Sequence, residues 1–96
     1  MLTKKGAHTS IHFEAIEEND KRNQAKYLYN LGIMAHRMKH YEEAMEYYEE
    51  SMEIARNLDY QEGVAACVYQ LGWLACNRND FDRAIELFKE SVTIFQ

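Results

Sequence analysis

Apolar residues recur along this chain at three- and four-residue intervals with polar residues between them. That is the spacing of helices that bury one face. Leu28, Leu31, Tyr41 and Tyr48 carry the pattern in the first half, and Val68, Leu71, Phe81 and Phe88 carry it in the second. The pattern predicts helices over about 21–38, 41–58, 60–78 and 81–95, with turns at Lys39-His40 and Asn79-Asp80. Asp20, Asp59 and Asp80 are expected N-caps, and Glu62, three residues after Asp59, completes a capping-box pattern. A fifth helix is expected over Ala7–Glu18, where Ile11, Ala15 and Ile16 keep a thin apolar face.

The pattern repeats itself. Tyr29-Asn30-Leu31-Gly32-Ile33-Met34-Ala35 returns 40 residues later as Tyr69-Gln70-Leu71-Gly72-Trp73-Leu74-Ala75. The same offset carries Tyr41-Glu42-Glu43-Ala44 onto Phe81-Asp82-Arg83-Ala84, and Tyr48, Ser51 and Ile54 onto Phe88, Ser91 and Ile94. Dense matching at one offset marks a repeat architecture. Each unit is two helices, so the chain divides into a degenerate half-repeat at 1–20, a first repeat at 21–58 and a second at 59–96. The half-repeat is expected to cap the first full pair. Gly32, Gly72, Ala44 and Ala84 are the small residues that let paired helices approach. A glycine within a helix is unfavourable by about 1 kcal/mol relative to alanine, so its recurrence points to a packing requirement.

Composition agrees with an all-α domain. There is no proline, there are four glycines, and 47% of the residues are hydrophobic. The net charge of −5 disfavours a nucleic-acid partner. Charge is uneven: residues 1–40 hold seven Lys/Arg against four acids, and 41–96 hold four against twelve. No apolar run is long enough to cross a membrane, and the N-terminus lacks a secretory signal pattern. Cys67 and Cys76 lie nine apart on one predicted helix, too far for a disulfide, and read as reduced thiols of a cytoplasmic protein.

The Leu-Gly pairs Leu31-Gly32 and Leu71-Gly72, the second-helix alanines Ala44 and Ala84, and the aromatics Tyr48 and Phe88 four residues on resemble the tetratricopeptide repeats. The resemblance covers about residues 21–96 and implies an α-α superhelix of helical hairpins, which with the helix expected over Ala7–Glu18 makes about five helices. The spacing is that of a longer, 40-residue variety rather than the usual 34 or so. The bulky residue expected early in the first helix is Leu28 or Val68, and the expected proline is replaced by Arg56 and Gln96.

The resemblance also implies a function. First helices of such repeats line a groove that binds a protein or peptide. Here that stripe comprises Lys26, Tyr29, Asn30, Ile33, His36 and Arg37, then Tyr69, Gln70, Trp73 and Asn77. Aromatics and arginine anchor interfaces, and amides can bond a peptide backbone. Tyr29, Tyr69 and Trp73 can equally pack between repeats, though Trp73 is freer because its counterpart is Ile33. The family's clamp for a C-terminal carboxylate is not reproduced, since Tyr29 and Ile33 stand where its first lysine and asparagine belong.

A second surface lies on the last helix, where Ile85, Phe88, Val92 and Phe95 form an apolar strip flanked by Leu87 and Ile94. Solenoid ends need a cap or a neighbour, and no cap follows Gln96. Either the chain belongs to a longer protein or this strip meets another chain, by self-association as a homo-oligomer or by binding a partner. No cofactor is expected and catalysis is not. The His8/His12 and His36/His40 pairs have metal-binding spacing but no third ligand. His36 and Cys76 come close on paired helices but lack an orienting group. The row Glu42, Glu43, Glu46, Glu49, Glu50 and Glu53 reads as a solvated outer face.

Overall fold

Three turns of one design divide the protein. In a computed structural model that describes residues 6–94, with side chains from Glu17 onward, the helices are α1 (Gly6–Arg37), α2 (Tyr41–Asn57), α3 (Gln61–Asn77) and α4 (Phe81–Ile94). Each turn places one residue in the left-handed region: Lys39 at φ 64°, Asp59 at 60° and Asn79 at 64°. The next amide reaches back to an alanine carbonyl, with His40 to Ala35, Tyr60 to Ala55 and Asp80 to Ala75 all at 2.8 Å. The left-handed residue itself donates to His36, Arg56 or Cys76. This Schellman pair satisfies the carbonyls that a helix end would otherwise leave open. The turns recur every 20 residues, so the 40-residue sequence repeat is two helices and two turns.

The turn geometry corrects one expected cap. Asp59 is the left-handed residue, and Tyr60 occupies the cap position of α3 without a side-chain cap bond. Asp80 does cap α4, its Oδ1 accepting from the Arg83 backbone amide at 3.4 Å.

The expected break at Asp20 is absent, so the described helices number four rather than five. No glycine or proline interrupts residues 7–31. Ile11, Ala15 and Ile16 offer too little apolar surface to repay folding the chain back. α1 therefore runs straight through Asn19 and Asp20.

α1 packs against α2, α2 against α3 and α3 against α4, with a lighter contact between α1 and α3. The helices thus form antiparallel hairpins stacked side by side. Ala35, Ala44, Tyr48 and Leu74 make one core cluster, and Ala55, Val64, Val68, Ala75, Ala84 and Leu87 make the other. Leu74 lies 3% exposed in the first repeat's cluster, so α3 seals both hairpins together.

Gly32 and Gly72 lie under aromatic rings of the second helices. A β-carbon on Gly32 would fall 2.5 Å from Tyr48 Cε1, and one on Gly72 would fall 2.6 Å from Phe88 Cε1. Phe81, expected in the core, is 58% exposed. Its counterpart Tyr41 gains an edge contact from the His36 ring, whereas Cys76 stands at that place in the second repeat.

Candidate functional site

The first helices of the two hairpins lie beside each other, and two side-chain bonds tie them. Gln70 Nε2 donates to Tyr29 Oη at 3.2 Å, and Asn77 Nδ2 donates to His36 Nε2 at 2.7 Å. Both span 41 residues and lie seven residues, two helical turns, apart. The predicted stripes of α1 and α3 therefore share one surface. Gln70 and Asn77 use their amides to hold it together, and Asn30 is an exposed amide of the stripe outside these two bonds.

Aromatic packing beneath this surface repeats as the sequence does. Tyr29 packs on Tyr48 at 5.8 Å between ring centroids, and Tyr69 packs on Phe88 at 5.7 Å. Tyr29 is half-buried, and Ile33 packs against the Tyr48 cluster. In the second repeat the aromatics are more open, with Tyr69 45% and Trp73 46% exposed. Trp73 meets Tyr69 edge-on at 6.3 Å and Phe88 at 5.5 Å, so its ring is held although much of it faces water. Lys26 and Arg37 are exposed on α1.

His36 joins three elements. Its Nδ1 lies 3.4 Å from Tyr48 Oη, its ring meets Tyr41 edge-on, and Asn77 donates to its other nitrogen. Loss of water around it lowers its pKa below the ordinary histidine value. Burial, with Tyr29 and Cys67 nearby, pushes the Tyr48 phenol up. Burial likewise raises the Cys67 thiol, although its bond to Ser51 and the charge of Arg56 oppose the shift.

Several contacts were hidden from the sequence. Ser51 Oγ donates to the Ala25 carbonyl at 2.7 Å and Ser91 Oγ to the Ala65 carbonyl at 3.3 Å, one bond per hairpin. Cys67 Sγ donates to Ser51 Oγ at 3.4 Å. The Arg22 guanidinium lies 4.5 Å over the Tyr60 ring, joining α1 to the turn before α3. The recurrence of Ser51 at Ser91 was the one visible signal.

The cavities are open clefts. One of about 150 Å³ lies between α1 and α3, lined by Lys26, Tyr29, Tyr60 and Gly63 among others. That is below the roughly 300 Å³ of ordinary small-molecule sites. A cleft of about 420 Å³, lined by Met45, Glu49, Leu74, Arg78 and Arg83 among others, lies among α2, α3 and α4. All six glutamates of the α2 row are exposed, and Glu42 pairs with Arg78 at 3.3 Å. Cys67 and Cys76 are free thiols. His36 bonds Tyr48 and Asn77, and His40 pairs with Glu43 at 3.2 Å. Among the described residues no group of three His, Cys, Asp or Glu is placed to hold a metal. The side chains of His8 and His12 lie outside the described residues.

On α4, Ile85 is 53% and Val92 60% exposed. Phe88 is half-buried over Gly72, Leu87 is core, and Phe95 lies outside the described residues. No described helix is long and apolar enough to cross a membrane.

Stacked antiparallel hairpins with an aromatic and amide surface on their first helices define a helical-repeat scaffold. The chain belongs to the tetratricopeptide repeat family, whose profile matches residues 10–57 and, overlapping, 23–96. Repeats of this family generally mediate protein–protein interactions and are typically non-catalytic. No curated protein and no solved structure matches the chain.

Proposed function

We propose that the chain is an interaction module that receives an extended segment of another protein along the surface shared by α1 and α3. The observation that carries this reading is Trp73. Its ring is braced by Tyr69 and Phe88 yet 46% exposed. A large aromatic fixed before binding loses little conformational freedom when a partner covers it, which is how interface anchors gain affinity. Asn30 supplies a free amide for a partner backbone, and Lys26 and Arg37 supply positive charge along α1. The 40-residue spacing fits the longer variety of the family. Cytoplasmic residence suits two free thiols.

Affinity capture with the parent chain and with Trp73→Ala tests the reading. A partner held by the parent and released by the variant supports it, provided the helical circular dichroism is unchanged. Equal capture by both would overturn it. A second reading, self-association through α4, is favoured by the exposure of Ile85 and Val92.

A further inference from the structure

The chain contains a pattern for covering its own α4 face. Within the molecule, α3 seats on α2 by placing Leu74 in the cluster that Met45 packs against and by bonding Cys67 to Ser51. The buried face of α3 thus includes Leu74, 3% exposed, and Cys67, 0% exposed. Forty residues earlier the same positions on α1 are Met34, 57% exposed, and Tyr27, 64% exposed. Forty residues later, the half-buried Met45 and Met52 of α2 become the exposed Ile85 and Val92 of α4. One end of the molecule presents the face that α3 buries, and the other presents the face that α2 buries.

We propose that a second copy of this chain stacks head to tail on the first, with its α1 lying on α3 and α4 as α3 lies on α1 and α2. This rests on the self-association reading and adds occupant, direction and register. Met34 of the incoming copy packs against Ile85, as Leu74 shares a cluster with Met45 inside the chain. Its Asn30 bonds the Tyr69 hydroxyl, as Gln70 bonds Tyr29 inside the chain. Continuity with the α2–α3 interface is the first argument.

Charge is the second. Residues 21–40 carry five cations and no acid, whereas residues 61–94 carry five acids and three cations. Opposite net charges favour head-to-tail over like-to-like encounters. The straight course of α1 through Asp20 is the third. A fold-back there would lay a helix over Tyr27 and Met34, and the continuous helix leaves them open.

Such a contact joins two different surfaces, so each added copy leaves both ends available. Sedimentation velocity of the parent chain over a dilution series is expected to show mass rising past dimer without a plateau. Met34→Glu blocks one end and Ile85→Glu the other. Each alone is expected to weaken association by about tenfold or more, while an equimolar mixture forms a dimer and stops there. Both positions are solvent-exposed, and circular dichroism verifies the fold. A mixture that stays monomeric overturns the proposal. So does self-association of Met34→Glu at the parent's strength, which would leave α4 pairing with itself and the broader reading standing. A parent chain monomeric up to millimolar concentration overturns both.

Discussion

Gly72 lies beneath the ring of Phe88, where a β-carbon would fall 2.6 Å from Cε1, and Gly32 stands in the same relation to Tyr48. The ring of each second helix occupies the space that a first-helix side chain would need. The prediction is that Gly72→Ala destabilises the fold. Alanine gains about 1 kcal/mol of helix propensity, but overpacking costs about 1–3 kcal/mol. Gly32→Ala has less room to relax, because Tyr48 is fully buried while Phe88 is half-buried. Urea unfolding of both variants should show a lower midpoint, with Gly32→Ala the lower of the two.

Lys39 holds φ 64° without a glycine's freedom, as Asp59 and Asn79 do at the equivalent turns. Left-handed backbone costs an ordinary side chain about 1–2 kcal/mol, and Asn and Asp tolerate it better. Lys39→Gly should therefore stabilise the protein by about 0.5–1 kcal/mol after the entropy that glycine adds to the unfolded chain. Asn79→Gly should gain less. Thermal unfolding of the two variants, each compared with the parent, measures the difference.

His36 ties Asn77, Tyr48 and Tyr41 together with a pKa held below its ordinary value by loss of water. A histidine whose pKa is lower when folded favours the neutral form in the fold. Its contribution is complete above the unfolded value of about 6.5 and is lost as pH falls below it. Stability should therefore drop on acidification from about pH 7 to pH 5, and His36→Gln should flatten that part of the profile. Urea midpoints at each pH check it. An unchanged slope in the variant would assign the loss to other groups.

The hairpins were legible because equivalent residues meet equivalent environments. Tyr48 and Phe88 each cover a glycine, and Ala35, Ala55 and Ala75 each accept the closing bond of a turn. Asp59 does not cap α3, because a Schellman turn moves the cap position one residue on, to Tyr60. The continuity of α1 was hidden because Asn19-Asp20 repeats the residues of the Asn79-Asp80 turn. The apolar face before it, Ile11, Ala15 and Ile16, is thin in the sequence. The stripe of first-helix residues was readable from the repeat. That Gln70 and Asn77 bond back to Tyr29 and His36 was not, since it depends on how far one hairpin is shifted along the other.

The most direct test of the groove uses Trp73, the one tryptophan in the chain. Its emission reports on that surface alone, and Ile85→Glu can be included to suppress self-association. Titration with a partner obtained by affinity capture should shift the emission to shorter wavelength, protect it from quenching by acrylamide and lose its affinity in Trp73→Ala. Tight binding that leaves the emission and quenching of Trp73 unchanged, with full affinity in the variant, would contradict the account.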